Sequence, residues 1–185
     1  AVMDCKELAF TGFDSLRALM AFVKTFAAEY SHLEVSMPAS FPMDHFCLDF
    51  RQSDTTRQLR TNGMARAVHV GEVLRLARYR GSGTCTLLLH DAFLPRNNGL
   101  YRIAFAHEKA REVAFTPLPP APFGMARPGL EGPDMELTIQ AFSAAILGNH
   151  PLEDFDFLEG MRRHCSREKA EQVFFKKPCW INNYF

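Results

Sequence analysis

The chain has 185 residues, 47% hydrophobic and 23% charged, and its formal net charge is zero. That is ample material for a folded core, and it excludes a global electrostatic case for binding nucleic acid or acidic membranes. No apolar run reaches about 18 residues and no signal-peptide pattern opens the chain, so no membrane span is expected.

The five cysteines (Cys5, Cys47, Cys85, Cys165 and Cys179) are scattered and odd in number. They form neither a C-x-x-C pair nor a disulfide framework, which suits reduced, buried thiols in a cytoplasmic protein. The 17 phenylalanines are many, and some are expected at an interface or pocket. The chain opens almost straight into strand-like sequence, the expected look of a cut within a longer protein.

Lys6 to Phe10 reads as a short strand. Gly12 to Ser15 supplies a turn and a helix cap. Leu16, Leu19, Met20, Val23, Phe26, Ala27 and Tyr30 then recur at helical spacing, so one long amphipathic helix is expected. Leu33 to Val35 reads as a strand, Pro38 to Pro42 as a break, and Phe46 to Phe50 as helix or strand. Arg51 to Asn62 has no apolar periodicity and reads as a linker between two pieces.

Met64 to Val70 reads as a strand, and Gly71 opens a short helix through Val73, Leu74 and Ala77. Thr84 to His90 and Leu100 to Phe105 are apolar, β-prone runs around a shaped loop, Asp91 to Gly99. Val113 to Phe115 offers a third strand, which makes a meander with one face to cover. Pro117 to Pro133 holds six prolines and three glycines and reads as an irregular loop. Met135 to Leu137 is strand-like. Thr138 to Leu147 is a helix ended by Gly148, Pro151 suits the first turn of a short helix carrying Leu152, Phe155 and Leu158, and Ser166 caps a last helix with Ala170, Val173 and Phe174 inward. The apolar tail, Pro178 to Phe185, is expected to dock on something.

Few residues carry obvious chemistry. Arg60 to Ala65 matches R-x-x-G-x-A, the pyrophosphate loop of acetyl-CoA-dependent N-acetyltransferases. Its context argues against that role, because the strand-like Arg66 to Val70 follows where a helix should open. The histidines, including the pairs His90–Asp91 and Asp44–His45 and the neighbour of Cys165, His164, have no zinc spacing. No G-x-S-x-G elbow occurs. Arg75, Arg78 and Arg80, and Arg162, Arg163, Arg167 and Lys169, read better as solvated faces than as a nucleic-acid surface. The carboxylate ending the chain at Phe185 is a base of ordinary pKa about 3.5 that burial among rings could raise toward useful range.

One family shares this order of residues. Gly63 to Val70, Leu74, Thr86 to Asp91, Asn97 to Tyr101, Met135 to Leu137, the Leu147–Gly148 helix end, Val173 to Phe175 and the final Phe185 together resemble the C-terminal part of the Eis-type (enhanced intracellular survival) GNAT N-acetyltransferases. The resemblance implies an α+β fold: a sterol carrier protein-like sheet covered by helices over residues 62–185, a linker at 51–61, and the end of a GNAT-like α/β region at 1–50. It also implies that Arg66 lies in the first strand of the carrier-like domain.

The family's acetyl-CoA site lies in an N-terminal domain outside this chain, so no cofactor-binding or metal-binding residue is expected here. The family's terminal carboxylate acts there as general base, a role that falls on Phe185. The catalytic tyrosine of that domain has no counterpart in this chain. The implied partners are that N-terminal domain, an amine substrate and further copies in a homo-oligomer. Two other functions compete: a carrier of lipid or another small apolar ligand, and a pure oligomerisation module.

Overall fold

The computed structural model describes residues 1–38, 41–42, 56–58, 65–125, 132–148, 151–156 and 159–177. Two compact units emerge, one within residues 1–63 and the other within residues 64–179.

In the first unit, strands β1 (Val2–Cys5) and β2 (His32–Val35) pair in parallel, Val2 opposite His32, with helix α1 (Phe13–Lys24) between them in sequence. The expected strand at Lys6 to Phe10 is corrected: the pairing residues are Val2 to Cys5, and the chain after Cys5 leaves the ladder. The helix is shorter than its apolar repeat. At Thr25 the backbone N–H and the side-chain hydroxyl both donate to the Phe22 carbonyl, which tightens the last turn and ends the helix before Phe26. At the other end Ser15 Oγ accepts from the Gly12 N–H at 3.0 Å and donates to the Gly12 carbonyl at 2.7 Å, so Gly12 takes the capping position.

The second unit is an α+β layer structure. Its five-stranded mixed sheet has the order β5-β4-β3-β6-β7, built from β3 (Gly83–His90), β4 (Gly99–Ala106), β5 (Lys109–Pro117), β6 (Met135–Thr138) and β7 (Met161–Arg163). β3, β4 and β5 form the expected antiparallel meander, while β6 runs parallel to β3, Leu87 opposite Met135. Helices α2 (Val70–Leu76), α3 (Ile139–Leu147) and α4 (Arg167–Val173) complete the unit.

Side-chain alternation along the strands decides where the core lies. Leu87, Leu89, Tyr101, Ile103, Phe105, Met135 and Leu137 share one cluster with Val70, Leu74, Phe142, Ala145, Val173 and Phe174. These side chains fill the interval between sheet and helices, and burial of each such group is worth roughly 1.5–3 kcal/mol. Phe142 and Phe174 meet edge to face at 6.2 Å, and Tyr79 stacks on Phe105 at 4.8 Å. The Tyr79 hydroxyl donates to the Leu74 carbonyl at 2.5 Å, which satisfies its one polar atom inside the core.

The cap read at Ser166 is present, and Thr138, placed by the sequence inside α3, caps that helix instead. Thr138 Oγ1 accepts from the Ala141 N–H, and Ser166 Oγ accepts from the Lys169 N–H. Gly148 ends α3 at φ +72, where a Cβ would stand 2.6 Å from the Lys177 nitrogen, so both conformation and space call for glycine. Pro151 precedes a 3₁₀ turn, Leu152–Asp156, in place of an α-helix. Leu158, Phe46 to Phe50 and the tail from Pro178 lie outside the described residues.

Two further readings change. The strand expected at Met64 to Val70 does not form over its described part: residues 65–69 are unpaired chain leading into α2, and the Ala67 N–H is met by the Ser143 hydroxyl at 3.0 Å. Arg66 is therefore not on a strand. Conversely β7, at Met161–Arg163, had no sequence signal, because three residues with two arginines carry neither alternation nor β-propensity.

The β4–β5 hairpin turns on His107 and Glu108, both at positive φ (52 and 64). That two-residue geometry suits the strand twist but costs about 1 kcal/mol for each residue carrying a Cβ. Glu108→Gly is expected to stabilise this unit by about 1 kcal/mol in urea unfolding; a loss of stability would mean that the Glu108 side chain holds the turn.

Candidate functional site

The polar groups buried in the second unit gather at the end of β3, on either side of the sheet. The first is Asp91, whose side chain is fully buried. Its Oδ1 accepts from the Phe93 N–H at 3.0 Å, the Leu94 N–H at 2.9 Å and Arg66 Nη2 at 2.5 Å, and its Oδ2 accepts from Asn97 Nδ2 at 2.9 Å. Aspartate before a turn can bond the backbone two and three residues on, and here that shapes the loop from Ala92 to Asn98. Asn98 closes the same loop: its Oδ1 accepts from the Asp91 N–H, and its Nδ2 donates to the Asp91 and Pro95 carbonyls. Burial pushes the Asp91 carboxyl up, but the Asn97, Leu94, Phe93 and Arg66 donors outweigh it and hold the group below its ordinary value.

The second is the pair His90 and Glu136, 6% and 8% exposed, on the sheet face opposite the helices. A strap from Leu118 to Met125 covers them. His90 Nδ1 lies 2.9 Å from the Ala121 carbonyl, which can only accept, so this nitrogen carries the hydrogen. Glu136 Oε1 accepts from the Gly124 N–H at 2.8 Å. Nε2 of His90 stands 2.8 Å from Glu136 Oε1 but makes no hydrogen bond. Phe123 meets the His90 ring edge to face at 5.8 Å, and Arg162 lies over Phe123 at 5.3 Å while donating to the Gly124 carbonyl at 3.1 Å.

A third carboxylate, Asp134, accepts from the Thr86 N–H and hydroxyl at 2.8 and 2.9 Å and from Lys169 Nζ at 2.7 Å. Burial raises it, and those donors outweigh burial and lower it. Nearby, burial and the Asp134 charge push the Cys85 and Cys165 thiols up, which removes thiolate character and with it nucleophilic power.

These arrangements hold loops in place. Among the described residues no group of three histidine, cysteine or acidic side chains could hold a metal ion. The basic clusters are largely occupied: Arg75 pairs with Glu72, Arg167 with Glu153 and Glu171, Lys169 with Asp134, and Arg80 lies 4.4 Å from the Phe175 ring. Phe185, the base implied by the resemblance, lies outside the described residues, as does Arg60 to Met64. Of the histidine pairs, His90–Asp91 is buried, and its two side chains serve opposite faces. Glu136 and Asp134 were missed by sequence reasoning. Each flanks a strand residue that would otherwise read as plain core, and only the alternation Met135-Glu136-Leu137 hinted that one carboxylate faces the second side of the sheet.

A family model described as "Sterol carrier protein domain" matches residues 70–182. No curated protein matches the sequence. Among solved structures, Eis1 from Mycobacterium abscessus superposes with a TM-score of 0.71 at 15% identity, over 100% of this chain and 43% of that one. A conserved protein of unknown function from Enterococcus faecalis V583, titled a probable N-acyltransferase, gives 0.70 at 15% identity over 95% and 42%. A GCN5-related N-acetyltransferase from Anabaena variabilis gives 0.68 at 15% identity over 100% and 44%. The chain thus has the fold of part of these proteins and spans less than half of their length. No helix among the described residues is long and apolar enough to cross a membrane.

The two carboxylates held low, Asp91 and Asp134, stabilise the fold above their ordinary value of 3.8, and that contribution is lost as pH falls through their lowered folded values. Asp91→Ala is expected to cost about 3 kcal/mol at neutral pH, by stranding the Arg66 guanidinium and two loop N–H groups. It should also flatten the acid limb of a stability-against-pH curve measured by urea unfolding. An unchanged acid limb would assign that limb to other groups.

Proposed function

This chain belongs to the sterol carrier protein domain family, and from that premise we propose that it is the C-terminal portion of an Eis-like GNAT N-acetyltransferase. The observation that carries the reading is the superposition of the whole chain on a part, 43%, of Eis1, together with the carrier-domain match over residues 70–182. In this reading residues 1–50 end a GNAT-like region, 51–61 link, and 62–185 form the carrier-like domain. The partner is an N-terminal acetyltransferase domain of the same polypeptide, the acceptor is an amine, and the assembled enzyme is a cytoplasmic bacterial homo-oligomer.

Acetyl-CoA supplies the acetyl group in the upstream domain, and no described residue of this chain is assigned to hold it. This chain's part is to shape the acceptor side of the site and to lend one carboxylate. In this proposal the terminal carboxylate, carried by Phe185, takes the ammonium proton from the acceptor amine and frees the nitrogen lone pair. The packed interval between sheet and helices supports a structural role for the carrier-like unit over a lipid-carrying one, since Leu74, Leu89, Phe142, Met135 and Leu137 occupy the space a ligand would need.

The test uses the full-length natural protein. Two residues appended after Phe185 displace the carboxylate and are expected to lower kcat by about 100-fold while acetyl-CoA affinity is kept. Phe185→Ala retains a terminal carboxylate and should lose far less. An appended enzyme with full kcat would end the role of Phe185, and a natural protein without acetyl-CoA turnover would end the acetyltransferase reading.

A further inference from the structure

Among the described residues, one buried side-chain nitrogen or oxygen has no hydrogen-bond partner: Nε2 of His90. Its surroundings say what it needs. Nδ1 of the same ring carries a hydrogen, because it lies 2.9 Å from the Ala121 carbonyl, which can only accept. In a neutral imidazole Nε2 is then a bare acceptor. It stands 2.8 Å from Glu136 Oε1, and an ionised carboxylate also only accepts. Two acceptors buried at that separation repel each other. One proton between them turns the repulsion into a charge-assisted hydrogen bond, for which this separation is ordinary. Imidazolium with carboxylate and imidazole with carboxylic acid carry the same number of protons, so the pair titrates as a unit.

We propose that His90 and Glu136 form a proton-binding site that fastens the strap from Leu118 to Met125. The strap has no titratable side chain of its own. Two of the bonds that hold it run through the pair, from His90 to the Ala121 carbonyl and from the Gly124 N–H to Glu136. Closing takes one proton from water onto the pair, and opening returns it. The neighbouring charges are engaged elsewhere. Arg162 of β7, opposite Glu136 in register, is turned to the Phe123 ring and the Gly124 carbonyl. Asp134 of β6 is held by Thr86 and Lys169. Arg102 of β4 shares this face of the sheet but lies opposite Thr86, and Asp91 turns to the other face. An exposed histidine gives up its proton above about pH 6.5. Above that pH the open strap leaves His90 without a proton, while the closed pair keeps one. Opening is then favoured about ten-fold for each further pH unit until the closed pair too is deprotonated. This latch belongs to the second unit and does not depend on the acetyltransferase reading.

Hydrogen–deuterium exchange of the natural full-length protein between pH 6 and 9, corrected for intrinsic exchange, reads strap opening on the peptide that holds Phe123 to Met125. Protection there is expected to fall at least about ten-fold across the range while that of α3 stays level. Glu136→Gln supplies a permanent N–H where the shared proton sits and keeps an oxygen for the Gly124 N–H, so its strap protection should stay level with pH. His90→Asn keeps a donor for the Ala121 carbonyl and does not titrate, and it too should lose the pH dependence. Strap protection that is level with pH in the natural protein overturns the latch, and that arm decides even where a variant loses α3 protection and with it the fold. A fall that persists in both folded variants also overturns it, since another group would then be the one titrating.

Discussion

Strand β3 is buried on both faces from Leu87 to His90, and each face must find its own cover. A strand in that position cannot be shielded by helices alone, because they reach only the side that carries Leu87 and Leu89. Leu88 and His90 point the other way, and Leu100 of β4 lies beside Leu88. The strap from Leu118 to Met125 answers this second demand near the end of the strand. It is proline-rich and makes no ladder, so it has to be bound by side chains: His90, Glu136 and Arg162 each take one of its backbone groups. Polar residues on an otherwise apolar strand thus have a structural cause.

The same strand end explains why His90 and Asp91, adjacent in sequence, do unrelated work. Successive side chains leave a strand on opposite sides. His90 serves the strap. Asp91, just past the last strand residue, organises the loop that returns the chain into β4. A buried carboxylate without partners would be costly, and here four donors meet it, so burial and ionisation coexist. The consequence is a stiff loop that carries an exposed phenylalanine.

The titratable groups buried in the second unit are tied to its structure. The Cys85 and Cys165 thiols are driven away from the thiolate form, Asp91 and Asp134 are each met by several donors, and the buried His90 imidazole lies under the strap.

Much of this was legible in the residues. Apolar alternation and turn chemistry located β3, β4 and β5, while Gly148 and Ser166 marked helix ends that the structure keeps, because caps act within one turn of the chain. Local signals failed where tertiary partners decide. The Leu16 to Tyr30 repeat overran a helix that Thr25 stops, and Val2 to Cys5 became a strand only because His32 to Val35 lies beside it. Arg66 looked like strand until Asp91 and Ser143 supplied partners for its segment, and β7 exists because Met135 to Leu137 offers it an edge. The sequence by itself determined the order of most elements in the second unit, since periodicity and capping are written in near neighbours, while the class of fold came from the family resemblance. The tertiary structure alone decided which polar residues are buried and what they hold, because the partners of Asp91, His90 and Glu136 come from segments up to thirty-one residues away.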